Sequence, residues 1–359
     1  MRFGLSEEQE TFREQLRRLL NERSPLERVR EVATDGKGFD ERLWSGLTEL
    51  GAMGVLVPAE YGGLGMDAFD VGIVLEELGR FTAPAPYLGT AFVAPLVLAE
   101  SSSNSLAAEW LPQIAAGEAM IGLALAETAG ARVGAGISVE NGRLSGKSLM
   151  VQDAGVADAF IAASGCDQLW LVRRDAPGLT NAPMTSIDKT RALAELRFDG
   201  VEAEPIAGGE PLVARALDLA RVGLAADAVG AAEAMFQQAV DYSKVREQFE
   251  RVIGSFQGVK HSLADMITAL EPAKALTWYA LHAQTALPRD EAHRMALHAK
   301  AHMAEVGRYV ARFATEVHGG MGFTDDLGLH YWFKRVGLDR QLLGSPEQIR
   351  AEAAKALAA

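Results

Sequence analysis

One cysteine, Cys166, is all that the 359 residues contain. That excludes an intrachain disulfide and a cysteine-rich zinc site, and it points to a reducing compartment. Basic residues are in deficit: 35 Lys+Arg against 48 Asp+Glu leave a formal charge of -13. Nucleic acid as the main partner is disfavoured, because phosphate binding needs a basic face. A local basic pocket for a phosphorylated cofactor stays open. No apolar run reaches the ~20 residues of a membrane helix, and the opening MRFGLSEEQE has acids where a secretory signal needs an apolar core. Internal repeats and low-complexity tracts are missing too, apart from an Ala-rich C-terminal end. A chain with 48% hydrophobic and 23% charged residues reads as a soluble, cytoplasmic globular protein. Its length suits two or three domains with sizeable cores.

Apolar residues recur at helical spacing from Leu5 to about Gly117, as in Val71, Val74, Leu75 and Leu78. Ser6, followed by Glu7 and Glu8, opens a helix, and Gln9 completes a capping box. VPAEYGGLGM and APAPY interrupt this pattern as turns. Between about Ile121 and Gly209 the texture changes. AFIAAS, LWLV and ELRFDGVE are short runs bounded by Gly, Asp and Asn, as strands are. From Pro211 helical periodicity returns over roughly 212–250, 256–287 and 290–318, with a last helix after Pro346. The expected domains are a helical one over 1–118, a β domain over 119–209 and a helical bundle over 210–359.

Several motifs fail. NGRLSGKS looks like a phosphate loop, but Gly142 and Gly146 stand one residue too close. A turn into a strand beginning at Gly146 and Lys147 accounts for it. Gly130, Gly134 and Gly136 do not make a dinucleotide fingerprint, and no βαβ unit surrounds them. His298, His302 and Glu305 would share a helix face, as metal ligands can, yet such histidines more often belong to a polar face. No metal is expected. Nothing around Cys166 marks a nucleophile, and G-x-S-x-G does not occur.

Two C-terminal segments stand out: YSKVREQFERVIGSFQGVKHSLADM from Tyr242, and EVHGGMGFTDDLGLHYWFKR from Glu316. Residue by residue, Arg246 reads as a solvated charge and Gly254-Ser255 as a helix break. Gly319, Gly320 and Gly322 read as a helix C-terminal turn. A sharper reading is also open. A Gly-rich helix end lets backbone groups approach a ligand, with Asp326 in the following loop able to act there.

The two segments resemble the R-x-x-F…I-x-x-F-Q and H-G-G-x-G-F-T stretches of acyl-CoA dehydrogenases. LSEEQ, LWSGLTELGAMGVLVPAEYGGLG and VLEELGR resemble N-terminal pieces of the same family. The resemblance covers nearly the whole chain, with its motifs in order. It implies an N-terminal α-helical domain, a middle β domain and a C-terminal four-helix bundle. It also implies that Arg246, Gln248 and Phe249 reach the FAD of a neighbouring subunit, with Gln257 as a further contact. Glu316, Gly319 and Gly320 fall where the family packs a Q-x-x-G-G stretch against FAD. Asp218 and Arg221 repeat a D-x-x-R pair near the acyl-CoA substrate. Asp326, seven residues after Gly319, takes the place of the catalytic base.

The implied reaction is α,β-desaturation of an acyl-CoA thioester. A carboxylate kept out of water takes the α-proton while hydrogen bonds hold the thioester oxygen. A hydride leaves the β-carbon for the flavin, which an electron-transferring flavoprotein reoxidises. Because the FAD site needs two subunits, a tetramer built as a dimer of dimers is expected.

The departures from the family matter as much. Asp326 replaces a glutamate, shortening the arm by roughly 1.5 Å, and Glu316 stands where glutamine is usual. Ala126, Leu149 and Val151 replace Thr, Trp/Phe and Thr in the β domain, so the chain's own flavin contacts are weakened while the lent ones are kept. Three readings follow: an active enzyme using Asp326, a subunit of a mixed dehydrogenase lending FAD contacts to a catalytic partner, or a non-enzymatic CoA- or protein-binding scaffold. The texture resembles relatives acting on bulky acyl-CoAs, including steroid side chains, with branched and dicarboxylic thioesters left open.

Overall fold

The structure, a computed structural model, describes residues 4–130 and 134–358. Six helices come first: α1 (Glu7–Arg23), α2 (Leu26–Asp35), α3 (Glu41–Glu49), α4 (Ala68–Arg80), α5 (Ala94–Glu100) and α6 (Asn104–Ala115). A π-helical segment, Leu88–Val93, precedes α5. The start of α1 follows its sequence: Gln9 N donates to Ser6 Oγ at 3.2 Å and Ser6 N donates to Gln9 Oε1 at 3.0 Å.

The middle of the chain forms β1 (Ile121–Ala124), the short α7 (Ala126–Ala129), β2 (Gly136–Glu140), β3 (Arg143–Gln152), β4 (Ala159–Ser164), β5 (Gln168–Arg173), β6 (Leu179–Met184), β7 (Leu193–Glu202) and β8 (Glu204–Ile206). These strands make one sheet in the order β6-β7-β3-β1-β4-β5-β8, with β2 beside β3. Of its pairings, β1 with β4 is parallel. Asn141 and Gly142 join β2 to β3 at φ 51 and 75, the left-handed pair of a tight hairpin turn. β3 therefore begins at Arg143, three residues before the glycine spacing suggested.

The rest is helical: α8 (Gly209–Val245), a hairpin of β9 (Glu247–Gln248) and β10 (Arg251–Val252), then α9 (Gln257–Ala286), α10 (Arg289–His318), α11 (His330–Gln341) and α12 (Pro346–Ala358). α11 is the helix that periodicity did not announce. Its buried face mixes Trp332, Val336 and Leu338 with Arg335 and Asp339, so charge interrupts the apolar repeat. α8 forms the axis. It is buried on nearly every side between Arg215 and Met235, as a helix apolar all round must be. α4 crosses it backbone to backbone: a Cβ on Gly79 would strike the Asp227 carbonyl, and one on Gly230 the Glu76 carbonyl.

Sheet and bundle are joined by buried charge. Arg335, 1% exposed, donates to Asp188 Oδ2 at 2.9 Å, Asp227 Oδ1 at 3.0 Å, Thr190 Oγ1 at 2.6 Å and the Ala83 carbonyl at 3.2 Å. Arg191 pairs with Asp227 at 2.9 Å and also with Asp339. Beside them burial pushes the Asp153 carboxyl up to about 7, with Arg191 and Arg335 pulling it down. A raised carboxyl stabilises the fold fully below its unfolded value, ~3.9, and loses that contribution as pH rises through about 7. Burial lowers Lys300 to about 7, so its contribution is complete only above its unfolded value and is lost as pH falls through about 7. The two windows do not overlap. Asp153→Asn is therefore expected to flatten the decline of the urea midpoint between pH 4 and 7. An unaltered slope across that window would reject the assignment.

Candidate functional site

The sequence-selected residues, Asp326 apart, gather at the two ends of the α8 axis. At its C-terminal end Arg246 N donates to the Tyr242 carbonyl at 2.9 Å and Ile253 N to the Arg246 carbonyl at 2.7 Å, folding the hairpin back on the helix. The hairpin tip puts Phe249 and Glu250 at φ 54 and 64, left-handed without glycine. A bulky residue holds that conformation only where its surroundings impose it. Phe249 is nevertheless 86% exposed. Its ring meets Phe256 edge-on at 6.2 Å, and Arg251 lies 3.9 Å over Phe256. Arg246, Gln248 and Gln257 are exposed on the same outcrop.

α9 starts at Gln257 with no side-chain cap from Phe256, so the first N–H groups of a 30-residue helix are open to an anion. The C-terminal end of α10 lies alongside. His318 stacks on Tyr242 with ring centroids 4.6 Å apart, bringing the turn of Gly319 and Gly320 next to the hairpin. Gly319 takes φ 60 and needs glycine. Gly320 does not: nothing lies within 4 Å of where its Cβ would be. Glu316 is exposed and pairs with Arg312 at 2.9 Å. An exposed guanidinium, an uncapped helix start, an exposed ring and an open glycine turn are groups that could hold the phosphates and rings of a dinucleotide.

At the other end Asp218 and Arg221 are buried. His293 Nδ1 lies 2.9 Å from both Asp218 oxygens, and that hydrogen bond pushes the imidazole pKa up. Arg221 donates to both Glu352 oxygens at 2.9 and 2.8 Å and to the Leu343 carbonyl at 3.1 Å. The four side chains face a cavity of about 180 Å³ that also meets Thr128 and Cys166 of the sheet domain. Asp218 and His293 line a second cavity too, of about 410 Å³. The helical D-x-x-R spacing marked Asp218 and Arg221, but His293 and Glu352 lie 75 and 131 positions from their partners. No local pattern links residues so far apart.

Asp326 joins neither cluster. It is exposed, on a loop whose carbonyls at Asp325 and Asp326 accept from Arg30 of α2. Within the single chain the loop turns onto α2 and leaves the Asp326 carboxylate exposed, away from Asp218 and Arg221. In the β domain Glu127 accepts from Ser148 Oγ at 2.6 Å and Leu149 N at 2.7 Å, next to Ala126, with Val151 buried. Ala131 and Arg132 of that stretch lie outside the described residues. No described helix is long and apolar enough to cross a membrane. Among the described residues no group of three or more His, Cys, Asp or Glu could hold a metal ion.

Residues 6–118 match the model of the acyl-CoA dehydrogenase N-terminal domain, and residues 207–358 that of the C-terminal domain. The acyl-CoA dehydrogenase IpdE2 of Mycobacterium tuberculosis is 33% identical over 344 residues, 96% of this chain and 95% of that protein. The short-chain specific acyl-CoA dehydrogenase of Clostridium acetobutylicum is 29% identical, covering 91% of each. Among solved structures, the steroid ACAD Tcur3481-Tcur3483 superposes with a TM-score of 0.91 at 29% identity over 98% of each chain. The ChsE4-ChsE5 complex from Mycobacterium tuberculosis gives 0.92 at 26% identity, over 100% of this chain and 99% of that one.

Proposed function

The chain belongs to the acyl-CoA dehydrogenase family, and from that we propose that it serves FAD-dependent α,β-dehydrogenation of an acyl-CoA thioester as one member of an assembly. Family membership makes it an oxidoreductase acting on CH-CH groups. The observation that carries the proposal is a length. Arg221 lies within α8 and Arg246 caps its C-terminal end 25 positions on, roughly 37 Å at 1.5 Å per residue. Substrate-side and cofactor-side residues of one chain therefore serve different sites, and the hairpin and glycine turn complete the flavin site of a neighbour.

Arg246 supplies a fixed positive charge, the α9 start supplies open N–H groups, and Gly320 leaves room for close approach. Bound flavin supplies the two-electron acceptor. Removing the α-proton needs a carboxylate out of water. In this chain's cleft Asp218 already holds His293 and Glu352 already holds Arg221.

That occupancy, with Ala126, Leu149 and Val151 in the β domain, favours an unlike neighbour that brings both the base and its own flavin contacts. Two similar structures, the Tcur3481-Tcur3483 ACAD and the ChsE4-ChsE5 complex, carry two component names each, in line with a tetramer of two kinds of subunit. An electron-transferring flavoprotein is the acceptor we assign. Steroid-type thioesters come first for assay, since the first of those structures is named a steroid ACAD. The exposed, free Cys166 keeps the cytoplasmic reading.

Native mass spectrometry with flavin quantitation, on the chain alone and with its genomic neighbour, tests this. About one FAD per pair of unlike chains is expected; one FAD per chain with brisk turnover by the lone protein sinks the mixed assembly. A colourless protein in both preparations would leave the scaffold reading. Arg246→Ala should lower flavin occupancy and loosen the oligomer together, and full occupancy in an intact assembly would reduce Arg246 to a surface charge. Asp326→Asn should change the rate of substrate-driven flavin bleaching by no more than about twofold, about 0.4 kcal/mol in barrier height. A loss of roughly a hundredfold, the scale of a misplaced catalytic group, would return it to the role of base.

A further inference from the structure

The end of the bundle that carries the cofactor-side residues exposes Arg246, Gln248, Phe249 and Gln257 but buries a side chain of its own. His318 is 3% exposed, while Gly319 and Gly320 after it are open to solvent. It is the last residue of α10, and its Nδ1 lies 2.7 Å from the Ala314 carbonyl, which makes Nδ1 the donor. Burial lowers its pKa, against the hydrogen bonds it donates to the Ala314 and Gln238 carbonyls. The face of the ring lies on Tyr242 of α8 at 4.6 Å and 36°. Tyr242 is in turn the residue whose carbonyl receives Arg246 N.

The packing around this contact leaves no slack. A Cβ on Gly322 would press on Thr315 O and on His318 Cβ, and one on Gly254 would press on the Ser243 carbonyl. The glycine turn is thus folded under the imidazole, and the hairpin base is folded against the last turn of α8. The His318–Tyr242 stack lies between these two close approaches.

We propose that His318 is a positioning residue: stacked on Tyr242, it sets the Gly319–Gly320 turn in register with Arg246, so that the two reach a neighbour's flavin as one rigid unit. This rests on the reading that those segments contact FAD. Its physical content is preorganisation. Two contacts on separately moving segments each lose freedom on binding, whereas contacts already in register lose little.

The assembled protein is stripped of flavin and titrated with FAD, following fluorescence quenching and the visible flavin spectrum. His318→Ala is expected to raise the FAD dissociation constant about tenfold or more and to blur the fine structure of the flavin band. His318→Phe, which keeps the ring stack, should restore affinity to within about threefold of the parent. Tyr242→Ala should match His318→Ala, and the double variant should be no weaker than either, because both remove the same coupling. Additive losses in the double variant overturn the proposal, as does a His318→Ala protein that melts earlier but binds FAD unchanged. Arg246→Ala separates the two levels. If it leaves the constant unchanged, the flavin assignment of these segments fails; if it weakens binding while the His318 and Tyr242 variants do not, only the positioning role fails. Should His318→Ala not fold, the Tyr242→Ala and His318→Phe titrations decide alone.

Discussion

Arg335→Met is expected to destabilise the protein by about 3–5 kcal/mol, the range for breaking a buried ion pair from one side. The methionine fills similar space but leaves Asp188 and Asp227 without the guanidinium that bridges them. Asp188 would keep only its bonds from Thr190 N and Oγ1. Asp227 would keep Arg191. Burial alone would push the Asp227 carboxyl up; Arg191 and Arg335 together hold it below its ordinary value. The loss is a large part of the roughly 5–15 kcal/mol that domains have in total. Because the arginine ties α11 to the β6–β7 loop and to α8, scanning calorimetry should show the thermal transition splitting as the sheet domain unfolds first. Adding Asp188→Asn should recover part of the loss by removing a stranded charge. A single transition within about 1 kcal/mol of the parent would mean that apolar packing, not this network, joins the domains.

Gly230→Ala should cost at least about 3 kcal/mol, the upper end for overpacking, and leave little soluble protein. The added methyl would collide with the Glu76 carbonyl and press on Arg80 N, both main-chain atoms of α4 that cannot turn aside. Gly79 meets the Asp227 backbone in the same way from the opposite helix, so the crossing has no room on either side. Gly223→Ala meets the side chains of Leu88, Phe92 and Leu75 and should cost less, because side chains can repack. Gly337→Ala provides the opposite sign: it lies in α11 with nothing within 4 Å, so alanine should stabilise by about 0.5–1 kcal/mol. Urea midpoints of the four proteins test the order, and a Gly230→Ala protein as stable as the Gly223→Ala one would contradict the backbone-contact argument.

Much of this architecture is legible in the residue order. The capping box at Ser6 and Gln9, the runs AFIAAS and LWLV, the long helices after Pro211 and the positive-φ turn at Gly319 rest on near-neighbour chemistry, which the chain carries wherever it goes. The motif residues at 246–257 and 316–320 are legible for the same reason, since each group is contiguous. α11 is not, because Arg335 and Asp339 occupy its buried face and are tolerated there only by partners on β-domain loops and α8.

The site divides along the same line. Helical spacing alone puts Asp218 and Arg221 on one face. That His293 and Glu352 answer them, and that His318 meets Tyr242, are decided by how α8, α10 and α12 pack. The separation of Arg221 from Arg246 needs both levels: the sequence shows an unbroken helix, and the fold shows that nothing bends it back within the chain. Asp326 marks the limit most plainly. Its register after the glycine turn suggests a base, while the water around its carboxylate depends on what packs over it; within the chain the loop packs on α2 and leaves that face open. Local order specifies conformation through bonds and nearest neighbours; burial, partnership and distance are sums over the whole packed chain, and only the tertiary structure fixes them.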